Sequence, residues 1–358
     1  MRSTPIVMPS NTGSTRSLSD SVNATTRSVH TKLNKLVMSR LRLALPPQAD
    51  DASQYVSGLL HIAPIYLAFE SLWVSLLERP TTAESSGSEQ SGLACTACDA
   101  DGASPFVHTN CDFADIQINI SGRIQALLAD LHFEGLQRSG PLRKDLISLT
   151  NWSNRTLAEK LNDASEALVL SEFLDHIKSH VEGSPHVLLA YAWVLYMALF
   201  SGGRFIRATL ENIYTDFWVP ASAQSQAPAK LMGSNGTEAR PFGFFRFDTP
   251  EDGEDLKLEF KRRLVESESV LTQPEREDII KEAQSIFEFM IRLVGELDDI
   301  CGTDKEAAEA RLLSLRSRDS VIVEKERRQH YAGLARKIAE EETDPNSRET
   351  PTGHVKFG

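Results

Sequence analysis

The chain has 358 residues, of which 41% are hydrophobic and 25% charged, a composition typical of a soluble folded protein of one large domain or two ordinary ones. A net charge of −12 argues against broad nucleic-acid binding, because neutralising phosphates requires a basic surface. Four cysteines do not suggest a disulfide scaffold in a chain of this length, which favours a reducing compartment. No signal-like segment opens the chain, so we expect a soluble, cytoplasmic protein with no membrane anchor.

The first 47 residues are basic within this acidic protein. They contain seven cationic side chains against the single acid Asp20, namely Arg2, Arg16, Arg27, Lys32, Lys35, Arg40 and Arg42. A mitochondrial transit peptide has this bias. The other interpretation, which we prefer, is a folded helix that faces an anionic ligand, because the segment continues directly into helical periodicity.

The first half of the chain predicts two long helices. Residues 1–18 lack an apolar period and are expected to be disordered. A helix capped by Ser19 or Asp20 should then extend to about Leu45, followed by a second from about Asp51 to Glu78. Residues 80–105 have low complexity and are predicted to form an exposed insertion.

The second half also carries only helical patterns. Residues 217–250 are expected to form a long loop whose end is fixed by phenylalanines, and residues 303–358 a charged C-terminal helix and tail. No useful stretch alternates at a period of two, so we predict an all-α protein with its main domain at residues 19–302. The helices are predicted at Phe113–Phe133, Leu157–His180, Val187–Tyr214, Glu254–Glu268, Pro274–Cys301 and about Asp304–Glu341.

The stretch from Ser184 to Leu210 is strongly apolar yet contains Gly202 and Gly203. Each glycine costs roughly 1 kcal/mol in a helix interior relative to alanine. On helical spacing both share a side with the apolar stripe that includes Tyr196 and Leu199, which would leave a groove for a flat ligand. A kink or a close helix–helix contact explains the same pattern.

His30 is the first candidate ligand. It shares a helix face with Arg27, Leu33 and Asn34, and a neutral imidazole on an apolar stripe is a natural axial ligand of heme iron. An ordinary core or half-exposed histidine is the alternative.

Several runs together resemble the heme oxygenases in the order of that family. They cover about residues 19–300 and are ATTRSVHTKLNKLV, IYLAFE, LLAYAWVLYMALFSGGRFIRA, FGFFRF, LKLEFKRRL and EDIIKEAQSIFEFMIRLVGEL. The third is similar to the family's distal helix, which carries the pattern Tyr-Leu-Gly-Asp-Leu-Ser-Gly-Gly over the heme. The resemblance implies a heme oxygenase-like multi-helical fold in a divergent, fungal-type member.

The resemblance also implies roles for individual residues. His30 would be the proximal iron ligand and Arg27 a neighbour of a heme propionate. Tyr196, Ser201, Gly202 and Gly203 match the distal pattern, in which the glycines let the backbone approach the heme. The remaining propionate contacts would come from basic residues of LKLEFKRRL, namely Lys261, Arg262 and Arg263.

The activity implied is oxidative opening of heme, as substrate and cofactor, to biliverdin, carbon monoxide and iron, using dioxygen and electrons from a reductase partner. Four positions depart from the family, the first being Ala198 in place of the glycine before the distal aspartate. The distal aspartate that holds the proton-delivering water network falls on Leu199, the tyrosine above a propionate on Trp193, and the acid after the histidine on Asn34. Because leucine cannot relay a proton, a heme-binding or heme-sensing relative that has lost ring opening is the alternative.

A second, weaker pattern is Cys95-x2-Cys98 followed by His108-x2-Cys111. These residue types suit zinc, although the spacing is short and lies beside the low-complexity insertion.

Overall fold

The computed structural model describes residues 16–79, 120–220 and 241–303, and within these ranges it contains helices and turns but no strand, which confirms the predicted all-α class. Almost all of these residues belong to one compact unit, Met1–Cys301. Its helices are α1 (Leu18–Leu43), α2 (Ser53–Glu78), α3 (Gly122–Leu131), α4 (Ser139–Thr150), α5 (Asn154–Ser165), α6 (Leu168–Gly183), α7 (Pro185–Glu211), α8 (Glu254–Ser267) and α9 (Gln273–Ile300).

Helix α1 begins slightly earlier than predicted. The hydroxyl of Ser17, rather than Ser19 or Asp20, caps the helix by accepting a hydrogen bond from the Asp20 amide. Leu18, which was assigned to the disordered segment, is buried as the first helical residue. The apolar stripe of α1 packs on the core, with Val22 and Leu33 buried and Val29, Leu36, Val37 and Leu41 partly buried.

Two helix starts differ from the sequence prediction because distant carboxylates cap them. The predicted helix Leu157–His180 is divided into α5 and α6, and Glu296 of α9 accepts the Val169 and Leu170 amides at the start of α6. Helix α4 was not predicted, and its first amides, Arg138 and Ser139, are bound by Glu70 of α2. Such long-range caps leave no local pattern in the sequence.

Helix α7 departs from regular α geometry twice. Its residues Ala192–Tyr196 and Leu199–Gly203 form π turns, which rotate the side chains that follow relative to a regular α-helix. Among the described residues, two helices are long and apolar enough to cross a membrane by length and composition, Ser53–Glu78 and Pro185–Glu211, and more than half of each apolar stretch is buried inside the fold. Buried core helices pass the same test.

The segment after α7 is fixed against α4. The carboxylate of Asp145 accepts hydrogen bonds from the Gly243 and Phe244 amides at 2.9 and 2.7 Å. The predicted aromatic anchor is confirmed, since all four phenylalanines of this segment, Phe242, Phe244, Phe245 and Phe247, are buried.

Several predictions lie outside the described residues. These are the disorder of residues 1–15, the exposed insertion at 80–105, the middle of the 217–250 loop, the cysteine pattern at 95–111, and the helix and tail after residue 303.

Candidate functional site

His30 lies at the edge of the buried stripe of α1, with its ring exposed. Its Nε2 is 3.2 Å from the Nδ2 of Asn34, one turn later. The ring also meets Phe287 of α9 edge-on, with the ring centroids 5.5 Å apart. The imidazole therefore has an aromatic neighbour on one side and no ion pair among the described residues.

Helix α1 is attached to the rest of the protein at both ends. At its start the Leu18 amide donates to Glu268 at 2.9 Å. Near its end the guanidinium of Arg40 binds Asp298 of α9 through both oxygens, with the shortest distance 2.7 Å. These contacts hold the middle of α1, and with it His30, in a fixed position against α9.

The face of α1 that carries His30 also contacts α7. The indole Nε1 of Trp193 donates to the Oδ1 of Asn23 at 3.2 Å. Asn23 is seven residues before His30, so at 3.6 residues per turn the two side chains leave nearly the same face, roughly 10 Å apart along the axis. His30 thus faces the side of α1 on which α7 lies.

The exposed face of α7 consists of small and apolar residues. An added Cβ at Gly202 would meet nothing within 4 Å, and Ala198 and Ser201 beside it are exposed. One turn later Phe205 has 60% of its surface exposed, an unusual position for a phenylalanine. This face leaves open backbone next to an uncovered aromatic ring, which is the surface that a flat apolar ligand requires.

The helical spacing predicted that both glycines share a side with the buried stripe, but only Gly203 does so. Gly203 is buried, and an added Cβ there would lie 3.3 Å from the ring of Phe245 and 3.6 Å from Leu199. Gly202 lies in open space. The π turn at Leu199–Gly203 changes the angular step between residues, so the regular spacing assigned Gly202 to the wrong side.

Tyr196 and Leu199 point into the core rather than toward the open face. The hydroxyl of Tyr196 donates to Glu70 at 3.1 Å, and burial, followed by the charge of Glu70, raises the pKa of Tyr196 well above its ordinary value. Leu199 is only 5% exposed. Neither side chain is placed to contact a ligand on the face of Gly202.

The predicted propionate residues fall into two groups. Arg27 and Lys261 are exposed and have no ion pair within the described part of the chain. Arg262 binds Glu259 and Glu266, while Arg263 binds Glu259 and the carbonyl of Asp130. The first two are therefore available to an anionic ligand, and the last two are already paired.

Trp193 of α7 packs against helix α8. Its indole lies 6.5 Å, centroid to centroid, from the ring of Phe260 at an interplanar angle of 27°. Lys261 is the next residue after Phe260 and is exposed.

The sequence did not single out four of these contact residues, namely Asn23, Phe205, Phe260 and Phe287. Each is an ordinary residue type that acquires its position only through packing.

The comparisons with known proteins find similarity to heme oxygenases and to a heme-binding protein. The sequence model described as heme oxygenase matches residues 121–296. The yeast protein named heme-binding protein HMX1, from Saccharomyces cerevisiae, is 24% identical over 289 residues, which cover 79% of this chain and 76% of the yeast protein.

Solved structures of heme oxygenases share the fold. Heme oxygenase 2 of Chlamydomonas reinhardtii, solved without heme, superposes with a TM-score of 0.51 at 16% identity and covers 78% of this chain and 97% of its own. Heme oxygenase-2 of Synechocystis sp. PCC 6803, in complex with heme and NO, gives 0.53 at 14% identity, with 83% and 92% covered. The architecture is therefore that of the all-helical heme oxygenase fold.

The chain is therefore similar to the heme oxygenases over residues 121–296 and has their fold.

Proposed function

We propose that the protein binds heme between α1 and α7, with His30 as the iron ligand, and opens the porphyrin ring with dioxygen and electrons from a reductase. The observation that carries the proposal is the exposed imidazole on the face of α1 that contacts α7, together with the open backbone at Gly202. The match to the heme oxygenase sequence model and the name of the yeast relative support heme as the ligand.

The described residues suit this ligand chemically. His30 offers a nitrogen whose only polar contact is Asn34, so replacing that contact by iron leaves no buried group unpaired. Ala198, Gly202 and Phe205 provide an apolar surface, and Arg27 and Lys261 provide charge for the two propionates. Heme would supply the iron that activates dioxygen and the ring that is oxidised.

Proton supply is the step to which this chain contributes least. Residues 185–203 contain no Asp, Glu, Lys or Arg. Tyr191 and Tyr196 are bound to buried carboxylates, which leaves Ser201 as the exposed hydroxyl beside Gly202. In this proposal Ser201 orients the water that delivers protons, in place of a carboxylate.

A second function, heme binding or sensing without ring opening, is favoured by one observation. The position of the family's distal aspartate holds Leu199, which is buried against Gly203. A carboxylate introduced there would enter an apolar environment at a cost of several kcal/mol, so Leu199→Asp would test stability more than catalysis.

Single-turnover oxidation separates the two functions. The purified complex with heme is mixed with a reductant in air, with catalase present to remove free peroxide, and its spectrum is followed. Conversion of heme to biliverdin, with release of carbon monoxide, is the expected result. Ser201→Ala should slow this conversion without loss of the bound heme.

A heme spectrum that persists through repeated reduction, with no biliverdin extracted, would contradict ring opening and leave the binding function. The matched control is Ser179→Ala on α6, which removes an exposed hydroxyl far along the chain from Ser201 and should not alter the rate.

A further inference from the structure

A cluster of two histidines and one carboxylate lies between α6 and α9. The Nε2 of His176 is 2.9 Å from Glu282 Oε1, and the Nδ1 of His180 is 2.9 Å from Glu282 Oε2. The two histidines are four residues apart on α6, so they leave the same face of that helix, and their ring centroids are 3.8 Å apart.

The charge of Glu282 is poorly compensated within the protein. Its side chain is 3% exposed, and the only ion-pair partners it has in the described residues are these two histidines, which are charged only when protonated. Its third contact is the hydroxyl of Tyr191, a neutral donor. A buried carboxylate with no lysine or arginine partner favours the approach of a cation.

The geometry is close to that of a metal site. One ligand atom from each of the three residues can be chosen so that all lie within 4.8 Å of one another. Tetrahedral zinc, with bonds of about 2.0–2.2 Å, requires ligand atoms roughly 3.4 Å apart. Small side-chain rotations would therefore bring all three onto one ion. Because 48% of the His180 side chain is exposed, water can reach the fourth position.

We propose that His176, His180 and Glu282 bind a divalent transition-metal ion of the zinc type. Two imidazole nitrogens and one carboxylate oxygen are the donor set that zinc accepts in open, three-residue sites. The site joins α6 to α9, and through the Glu282–Tyr191 contact it also reaches the first turns of α7. It uses no residue of the proposed heme site.

Zinc titration of the heme-free full-length protein tests this proposal. Cys95, Cys98 and Cys111 are first replaced by serine, because thiolates would bind zinc independently. We expect one zinc ion per chain, measured by competition with a zinc indicator, and a rise in Tm with added zinc. Cobalt(II) should give the visible absorption of a four-coordinate site without the near-ultraviolet bands of thiolate ligands.

His180→Ala is the most informative variant, because this half-exposed side chain can be removed without disturbing the core. It should weaken zinc binding at least about tenfold, as should Glu282→Gln. Circular dichroism and urea unfolding check that each variant folds. His30→Ala and His186→Ala, which remove one exposed and one buried imidazole, should bind zinc as before.

Two results would overturn the proposal. One is failure of the cysteine-substituted protein to bind zinc at concentrations up to about 1 mM, which would leave the cluster as a hydrogen-bonded contact between two helices. The other is an unchanged zinc affinity in His180→Ala, which would place the ion elsewhere on the surface.

Discussion

Two residues of α7, Gly202 and Tyr196, have different roles. Gly202 faces open space and costs helix stability without any packing benefit, and it leaves its backbone open to a ligand. Tyr196, six residues earlier, is part of a buried polar group centred on Glu70, which also accepts the Arg138 amide at 2.8 Å. The first residue should therefore matter for ligand binding and the second for stability.

A pair of substitutions separates these functions. Gly202→Leu should lower heme affinity at least about tenfold, because the side chain fills the space next to the backbone, and should change the free energy of unfolding by no more than about 1 kcal/mol. Tyr196→Phe should lower the free energy of unfolding by roughly 2 kcal/mol, because a hydrogen bond to a buried carboxylate is lost, and leave heme affinity unchanged. Heme titration and urea unfolding measure both.

Gly140→Leu is the matched control, since this glycine of α4 is also exposed and has nothing within 4 Å of an added Cβ. It should alter neither quantity. A normal heme affinity in Gly202→Leu, or a weakened one in Tyr196→Phe, would reverse our assignment of the two faces of α7.

At the scale of elements, the segment after α7 depends on one carboxylate of α4. Asp145, 5% exposed, binds the two amides that begin the turn Gly243–Phe245. Burial raises the pKa of Asp145 from 3.8 to about 6, and the two amide hydrogen bonds oppose this shift without reversing it. The phenylalanines of this segment pack against α7, since Phe245 meets Gly203.

The raised pKa gives a pH dependence of defined sign. Because the folded protein holds the Asp145 proton more tightly than the unfolded chain, the contribution of this group to stability is greatest below about pH 4 and is lost as pH rises through about 6. Raising the pKa of Asp145 from 3.8 to about 6 corresponds to a free energy of roughly 3 kcal/mol in favour of the protonated form. Between pH 4 and pH 7, the free energy of unfolding of the native protein should therefore fall by roughly this amount relative to that of Asp145→Asn.

Urea unfolding of both proteins across this pH range measures the difference, in which the other titrating groups largely cancel. A relative stability that rises with pH would show that the amide hydrogen bonds, rather than burial, dominate the pKa of Asp145.

For the whole molecule, the sequence predicted the all-α class, most helix positions and the heme oxygenase fold, because apolar periodicity and ordered motifs are local signals. It missed α4 and the break between α5 and α6, since Glu70 and Glu296 cap those helices from distant positions. It also assigned Gly202 to the side of the buried stripe, because a π turn is not visible in a regular helical wheel. The histidines of the proposed metal site have a recognisable spacing, but their partner Glu282 is more than 100 residues away.

Hemin titration of the native protein and of His30→Ala tests the central claim most directly. We expect a sharp Soret band at one heme per chain in the native protein, and a weakened, shifted band in His30→Ala that added imidazole restores. His176→Ala, with a different imidazole removed, should titrate like the native protein. An unchanged band in His30→Ala, or no band in the native protein, would contradict the placement of heme between α1 and α7.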